Sequence, residues 1–269
     1  MSDDAGDAAG SDPETAASDG SGDDGSDEEA TAGGRVGEIG PYEAVYAHPE
    51  GDATVARQVK TAAEYGFEGV VVRSREAAYD APTLADRYGI DVVRGAEIDA
   101  ADPQAASGAV GNFRSDCTLL LVRGGTDALN RFALEQDRVD VLTQPFDGTG
   151  DVNHVLVKEA VAHDVRIEFD LGAVLRDDGG TRVRRLRKLR KLRELVAYFD
   201  APYVVSATAT SHLRLRAPRD LVAVGEQIGF GADAVRAGLA EWGRLAARNR
   251  ARLAESFISP GVQRGRDDE

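Results

Sequence analysis

Cys117–Arg123, CTLLLVR, is the most apolar stretch of the chain, and how it reads decides the fold. Five consecutive apolar or β-branched residues leave no polar face, so a strand made of them is covered on both sides. The same holds for Gly69–Arg73 (GVVVR) and for Tyr203–Ser206 in PYVVSA. Working outward, further strands are predicted at Tyr42–Tyr46, Ile90–Ile98, Val139–Thr143 and Arg166–Leu171 (RIEFDL). Helix signals fall between them. A helix over about 52–65 ends at Gly66, and Pro82–Tyr88 ends at Gly89. Asp102-Pro103 opens a helix to about Phe113, Asp127 caps one to Glu135, and Asp151 caps one to His163. A basic helix is expected over about 186–199, with closing helices at Pro218–Ile228 and Asp233–Ser256. Seven buried strands, each followed by a helix, make a βαβ series and a parallel sheet. Units of about 20–35 residues suit a barrel more than an open sheet. The fold class predicted is therefore α/β, a seven-stranded TIM-like β/α barrel.

Charge divides the chain differently. It carries 47 acidic and 32 basic residues, a formal net charge of −15. Eleven of the acids lie within residues 1–34, which hold no Lys or Arg; removing them leaves 36 acids against 32 bases. That segment, rich in Gly, Ser and Ala, cannot bury enough apolar surface to offset its ordering entropy. Three regions are predicted: a disordered acidic tail over 1–38, a barrel over 39–258, and a flexible tail over 259–269. Only four lysines (Lys60, Lys158, Lys188, Lys191) stand beside 28 arginines. This is the balance of a protein adapted to concentrated salt, and also of a GC-rich genome; the first is taken as the expectation. At molar salt the Debye length is about 3 Å, so net negative charge says little against RNA binding.

Several classes are excluded. No apolar run approaches the roughly 18–20 residues of a membrane helix. The opening Met-Ser-Asp-Asp lacks the basic and apolar regions of a secretory signal. A single cysteine, Cys117, rules out an intrachain disulfide and a multi-cysteine zinc site, and it reads as a small core residue. A cytoplasmic protein without membrane contact is expected. No GxGxxG, P-loop or G-x-S-x-G follows any strand.

The positions that could carry chemistry are few. Eight cations crowd into Arg182–Arg193. At helical spacing Leu189, Leu192, Leu195, Val196 and Phe199 share an apolar arc, while Arg187, Arg190 and Lys191 face water. A solvated face is the plain reading; concentrated positive charge in an acidic chain points instead to a phosphate or acidic partner. His154 and Lys158 share a helix face. Arg214, Arg216 and Arg219 precede or open a helix, where phosphate is favoured, although Arg219-Asp220 reads equally well as a local ion pair. Glu97 with Asp99, and Glu168 with Asp170, alternate at strand ends. With His48, His154, His163 and His212 these acids could assemble a metal centre for phosphoester hydrolysis, although no H-x-H or H-E-x-x-H spacing occurs.

The ordered blocks DVNHVLVKEAVAHDVRIEFDLGAVLR (Asp151–Arg176), PYVVSA (Pro202–Ala207) and LRAPRDLVAVGEQIGF (Leu215–Phe230) resemble the archaeal ribonuclease P protein component 3 family, the thirty-kilodalton subunit shared with the eukaryotic enzyme. The likeness covers roughly residues 42–255. It implies a distorted, PHP-type α/β barrel. It also implies a subunit of a particle whose RNA, using Mg²⁺, removes 5′ leaders from precursor tRNA. Its implied partners are ribonuclease P RNA, protein component 2, other protein subunits and precursor tRNA as substrate. No protein active site, resident metal or protein-bound cofactor is implied. RNA-contact positions carried over by the resemblance are His154, Lys158, Arg176, Arg216 and Arg219, to which the basic helix adds Arg187, Arg190 and Lys191. Where PHP relatives have H-x-H, this chain has Tyr46-Ala47-His48, with one histidine. The alternative is a metal-dependent PHP-like phosphoesterase acting alone.

Overall fold

The computed structural model describes residues 39–254 and the backbone of Phe257–Ser259 and Val262–Gln263. The acidic tail predicted over 1–38 lies outside the described residues, as does most of the C-terminal tail.

Seven parallel strands pair in chain order: β1 (Tyr42–Val45), β2 (Gly69–Val72), β3 (Asp91–Ile98), β4 (Leu119–Arg123), β5 (Val141–Thr143), β6 (Arg166–Asp170) and β7 (Tyr203–Ser206). Sequential parallel pairing with helical crossovers curls the sheet into the predicted seven-stranded α/β barrel. The ladder stops between β7 and β1. Glu43, fully buried on β1, bridges that seam: its Oε1 accepts from the backbone N–H of Ala44 (3.1 Å) and of Ala207 (2.9 Å). One backbone bond, Tyr46 N–H to the Ala209 carbonyl at 2.9 Å, completes the closure.

Strand residues alternate between two cores. Val71, Val93, Leu119, Leu121, Val141 and Val204 point into the lumen, whereas Val70, Val72, Val92, Leu120, Val122, Leu142 and Val205 pack beneath the outer helices. Both faces are covered, which is why β2, β4 and β5 read as apolar runs, while Glu43, Glu97 and Glu168 interrupt β1, β3 and β6.

The outer layer comprises α1 (Val55–Glu64), α2 (Ala81–Tyr88), α3 (Pro103–Phe113), α4 (Asp127–Leu134), α5 (His154–Ala162), α6 (Leu171–Arg176), α7 (Gly179–Phe199) and α8 (Pro218–Ile228). Local chemistry sets most of their ends. Asp80 and Asp102 accept from the N–H groups of Thr83 and Ala105, each with proline in the first turn. Gly89, at φ +69°, ends α2 in the left-handed conformation that suits glycine.

Two predicted caps move by one or two residues. Thr126 caps α4 instead of Asp127, and Asn153 caps α5 instead of Asp151, because each side chain reaches the N–H three residues on. The basic helix starts at Gly179, seven residues before the predicted Leu186. Its first turns, residues 179–184, are exposed and need no apolar arc. The short helix α6 takes the end of the predicted strand RIEFDL, since Asp170 accepts from the Ala173 N–H and turns the chain. Gly172 in α6 lies so close to β7 that an added Cβ would sit 1.8 Å from the Ala207 carbonyl oxygen.

The last helix, α9 (Ala232–Leu253), floors the barrel. Trp242 is fully buried and donates from Nε1 to the Val205 carbonyl at 2.9 Å. Leu245 and Ala246 pack against the lumen residues. Asp140, at the entrance to β5, gathers the Leu120 N–H (2.8 Å), Arg114 Nη1 (2.6 Å), Arg248 Nη2 (3.1 Å) and Asn249 Nδ2 (2.7 Å). Phe257–Ser259 and Val262–Gln263 pair antiparallel.

Candidate functional site: the barrel mouth and the basic outer helices

With the floor sealed, the open end is the C-terminal mouth, where barrels of this kind carry their chemistry. Side chains in phase with the lumen valines converge there. Arg73 follows Val71 by two, Glu97 follows Val93 by four, and Glu168 and Asp170 end β6. Arg73 is fully buried. Its Nε lies 3.1 Å from Glu97 Oε2 and its Nη2 lies 3.0 Å from Glu168 Oε1. Hydroxyls complete the layer. Tyr46 donates to Glu97 at 2.6 Å, Thr143 to Glu97 at 3.2 Å, and Ser206 to Glu168 at 2.7 Å. The Tyr46 ring covers the guanidinium at 4.9 Å.

Above this layer opens a cavity of about 500 Å³ whose rim includes Asp99, Arg123, Asp147, Asp170, Arg176 and Arg185. The rim charges are internally matched: Arg123 with Asp147 (3.0 Å), Arg185 with Asp177 (2.6 Å) and Arg176 with Asp170 (3.6 Å).

Burial dominates the titration of the interior. It pushes the Glu43 carboxyl up to about 8, so Glu43 is neutral at pH 7. It pushes Glu168 up to about 7 against the pull of Arg73, and it also raises Asp170 and the Tyr46 hydroxyl. Arg73 is held charged by Glu168, Tyr46 and Glu97, which outweigh its desolvation. Cys117 is a core thiol as predicted, 5% exposed and pushed up to about 11 by burial.

These residues do not fit a metal centre. Among the described residues no three His, Cys, Asp or Glu side chains gather in a way that could hold an ion. Between Glu97 and Glu168 stands a guanidinium, while Asp99, with 70% of its side chain exposed, lies 3.8 Å from Arg123 at the rim. The histidines are scattered. His163, for instance, pairs with Asp137 at 2.7 Å on the outer surface. A metal-dependent phosphoesterase is not favoured.

The predicted contact residues fall into separate places. His154 and Lys158 are exposed on α5 beside α7, where Lys158 lies over Phe199 at 5.5 Å. Lys191 of α7 reaches Asp151 on the same flank at 2.7 Å. Arg187 is exposed and has no ion-pair partner among the described residues, whereas Arg190 donates to the Gln227 carbonyl at the end of α8. The apolar arc is as read: Leu189, Leu192 and Val196 are buried. Arg219, with 89% of its side chain exposed, lies at the start of α8 beside Glu64 and Tyr65 of the α1 end. Arg216 folds back onto the Leu213 and Leu215 carbonyls. Arg176 stands apart from all of these, at the mouth. It donates to the Ala207 carbonyl and to Thr208 Oγ1, both at 2.9 Å.

Reading residues one at a time missed Arg73, Tyr46 and Glu43. The available signal was phase: Arg73, Glu97 and Glu168 are all in register with the lumen-facing residues of their strands.

The molecule is thus a TIM-like α/β barrel with an arginine locked among carboxylates at its mouth and its surplus cations spread over outer helices. Its residues 41–254 match the family described as RNase P subunit p30. It is 58% identical to ribonuclease P protein component 3 of Halorubrum lacusprofundi over 238 residues, covering 85% of this chain and 99% of that one. It is 56% identical to the protein of that name from Haloarcula marismortui over 225 residues, 82% of this chain and 96% of the relative. A chain from the cryo-EM structure of archaeal ribonuclease P with mature tRNA shares the fold, with a TM-score of 0.71 and 23% identity over 85% of this chain and all of that one. The chain belongs to the RNase P subunit p30 family.

Proposed function

We propose that this chain is the component 3 subunit of ribonuclease P and supports the catalytic RNA in removing 5′ leaders from precursor tRNA. The observation that carries this reading is the 58% identity to a component 3 protein across nearly the whole of that relative. In this reading the RNA performs the cleavage with Mg²⁺, and the protein supplies no catalytic group and holds no cofactor. Its partners are ribonuclease P RNA, protein component 2 and the other protein subunits, with precursor tRNA as the substrate of the particle. The working compartment is the cytoplasm; no helix among the described residues is long and apolar enough to cross a membrane.

The physical role is to offset repulsion between RNA phosphates brought together by folding. Exposed cations on rigid helices suit this, because bidentate arginine–phosphate contacts are short-ranged and persist in salt. Arg187, Arg190, Lys191, His154 and Lys158 offer one such surface, and Arg219 at the start of α8, with half-exposed Arg216 in the loop before it, a second. Arg176 contributes from the mouth. The experiment is affinity purification of the tagged chain, followed by reconstitution with Arg216→Glu/Arg219→Glu. Ribonuclease P RNA and component 2 are expected to co-purify, and the variant particle to process precursor tRNA more slowly at limiting Mg²⁺. A particle that assembles and works equally well without this chain would overturn the reading.

A further inference from the structure

The mouth of the barrel brings together oxygen atoms from five strands. Glu97 and Glu168 supply two carboxylates, 6% and 1% exposed. Tyr46, Thr143 and Ser206 supply hydroxyls within 2.6–3.2 Å of them. An all-oxygen set with two carboxylates is the chemistry that hard divalent cations take. Arg73 stands where such an ion would serve both acids, with Nε 3.1 Å from Glu97 and Nη2 3.0 Å from Glu168.

The fit is incomplete in an informative way. Among the described residues Glu168 Oε2 is buried without a hydrogen-bond partner, and so are Arg73 Nη1 and Arg73 Nε, the latter near Glu97 but not aligned to donate to it. A planar guanidinium donates along fixed directions and leaves lone pairs unused that a spherical ion would engage. Charge nonetheless has to be balanced there, since two buried carboxylates facing each other without a cation repel strongly at low dielectric.

We propose that Arg73 is a built-in stand-in for a divalent cation: it offsets part of the charge of the two carboxylates at the barrel mouth, closes the mouth to metal ions, and on removal leaves a divalent-cation site formed by Glu97 and Glu168. The inference does not depend on the ribonuclease P reading. It accounts for two buried acids at the barrel mouth through a counter-charge supplied by the chain itself.

The test uses the full chain freed of metal with chelator and Mn²⁺ as the probe, followed by the loss of the free-ion EPR signal and by thermal unfolding. Wild type and Arg73→Lys, which keeps a cation in place, are expected to bind no stoichiometric Mn²⁺. Arg73→Ala is expected to gain one Mn²⁺ per chain, with a rise in Tm on binding. Arg73→Ala/Glu97→Gln/Glu168→Gln is expected to lose that gain. If Arg73→Ala is unfolded without metal, recovery of native circular dichroism on adding Mn²⁺ is the supporting result. Three results would overturn the proposal: binding by wild type equal to that of Arg73→Ala, binding by Arg73→Ala no tighter than that of the triple variant, or an Arg73→Ala chain that stays unfolded in saturating Mn²⁺ while Arg73→Lys folds.

Discussion

Glu43 on β1 accepts a 2.9 Å hydrogen bond from the backbone N–H of Ala207, 164 positions later and just past β7. A carboxyl group thereby does the work of a missing ladder bond at the only seam of the barrel. The group is fully buried, and its second oxygen has no hydrogen-bond partner.

Replacing Glu43 with alanine strands two buried N–H groups and opens a small void. The expected loss is about 2–4 kcal/mol of stability, read from urea unfolding of the isolated chain.

Titration of the same group sets a pH dependence. Burial raises its folded pKa from 4.5 to about 8, so between those values the native state holds a proton that the unfolded chain has released. Stability from this group is full below about 4.5 and falls as pH rises towards 8. Glu43→Gln cannot titrate. Its stability relative to wild type is expected to improve steadily across that window, and urea midpoints at both ends will show whether it does.

At the opposite end, Asp140 is 5% exposed and accepts from two arginines, Asn249 and a backbone N–H. Asp140→Ala leaves those donors facing each other where α9 meets the floor. A loss of about 3–5 kcal/mol is expected, with early melting of α9 visible as faster amide exchange along Trp242–Asn249.

Arg176 serves the fold before any partner arrives. It ties α6 to the loop after β7 through Ala207 and Thr208. Arg176→Ala is expected to cost the chain about 1–3 kcal/mol in the absence of RNA. An unchanged Tm would free this residue for a role in RNA contact alone.

Arg187 behaves oppositely, being exposed on α7 without an ion-pair partner among the described residues. Arg187→Glu is expected to leave the unfolding free energy within about 0.5 kcal/mol of wild type. Binding of the reconstituted particle to its RNA should weaken by roughly tenfold, with a salt dependence shallower by about one counterion.

The architecture was legible because its signals are local. Unbroken apolar runs such as CTLLLVR name strands buried on both faces, and Asp102-Pro103 or Gly89 mark helix ends within a residue. Pro218–Ile228 came out as predicted. The start of α7 did not: residues 179–184 are exposed and bury no apolar face, so periodicity has nothing to report there. The mouth was half legible. Glu97, Glu168 and Asp170 stood out as strand-end acids. Arg73 did not, because its meaning comes from two acids 24 and 95 positions away, brought to it only by barrel closure. Glu43 was hidden for the same reason.

The floor helix carries a consequence for biosynthesis. Trp242 and its neighbours seal a lumen whose walls are built from strands made much earlier in translation. Until α9 has left the ribosome, the nascent sheet has an unsealed base lined by Val71, Val93, Leu119, Leu121, Val141 and Val204. A sheet sealed by its last helix is expected to reach its final packing only once that helix is available, and until then the open lumen is the apolar surface most exposed to neighbouring chains.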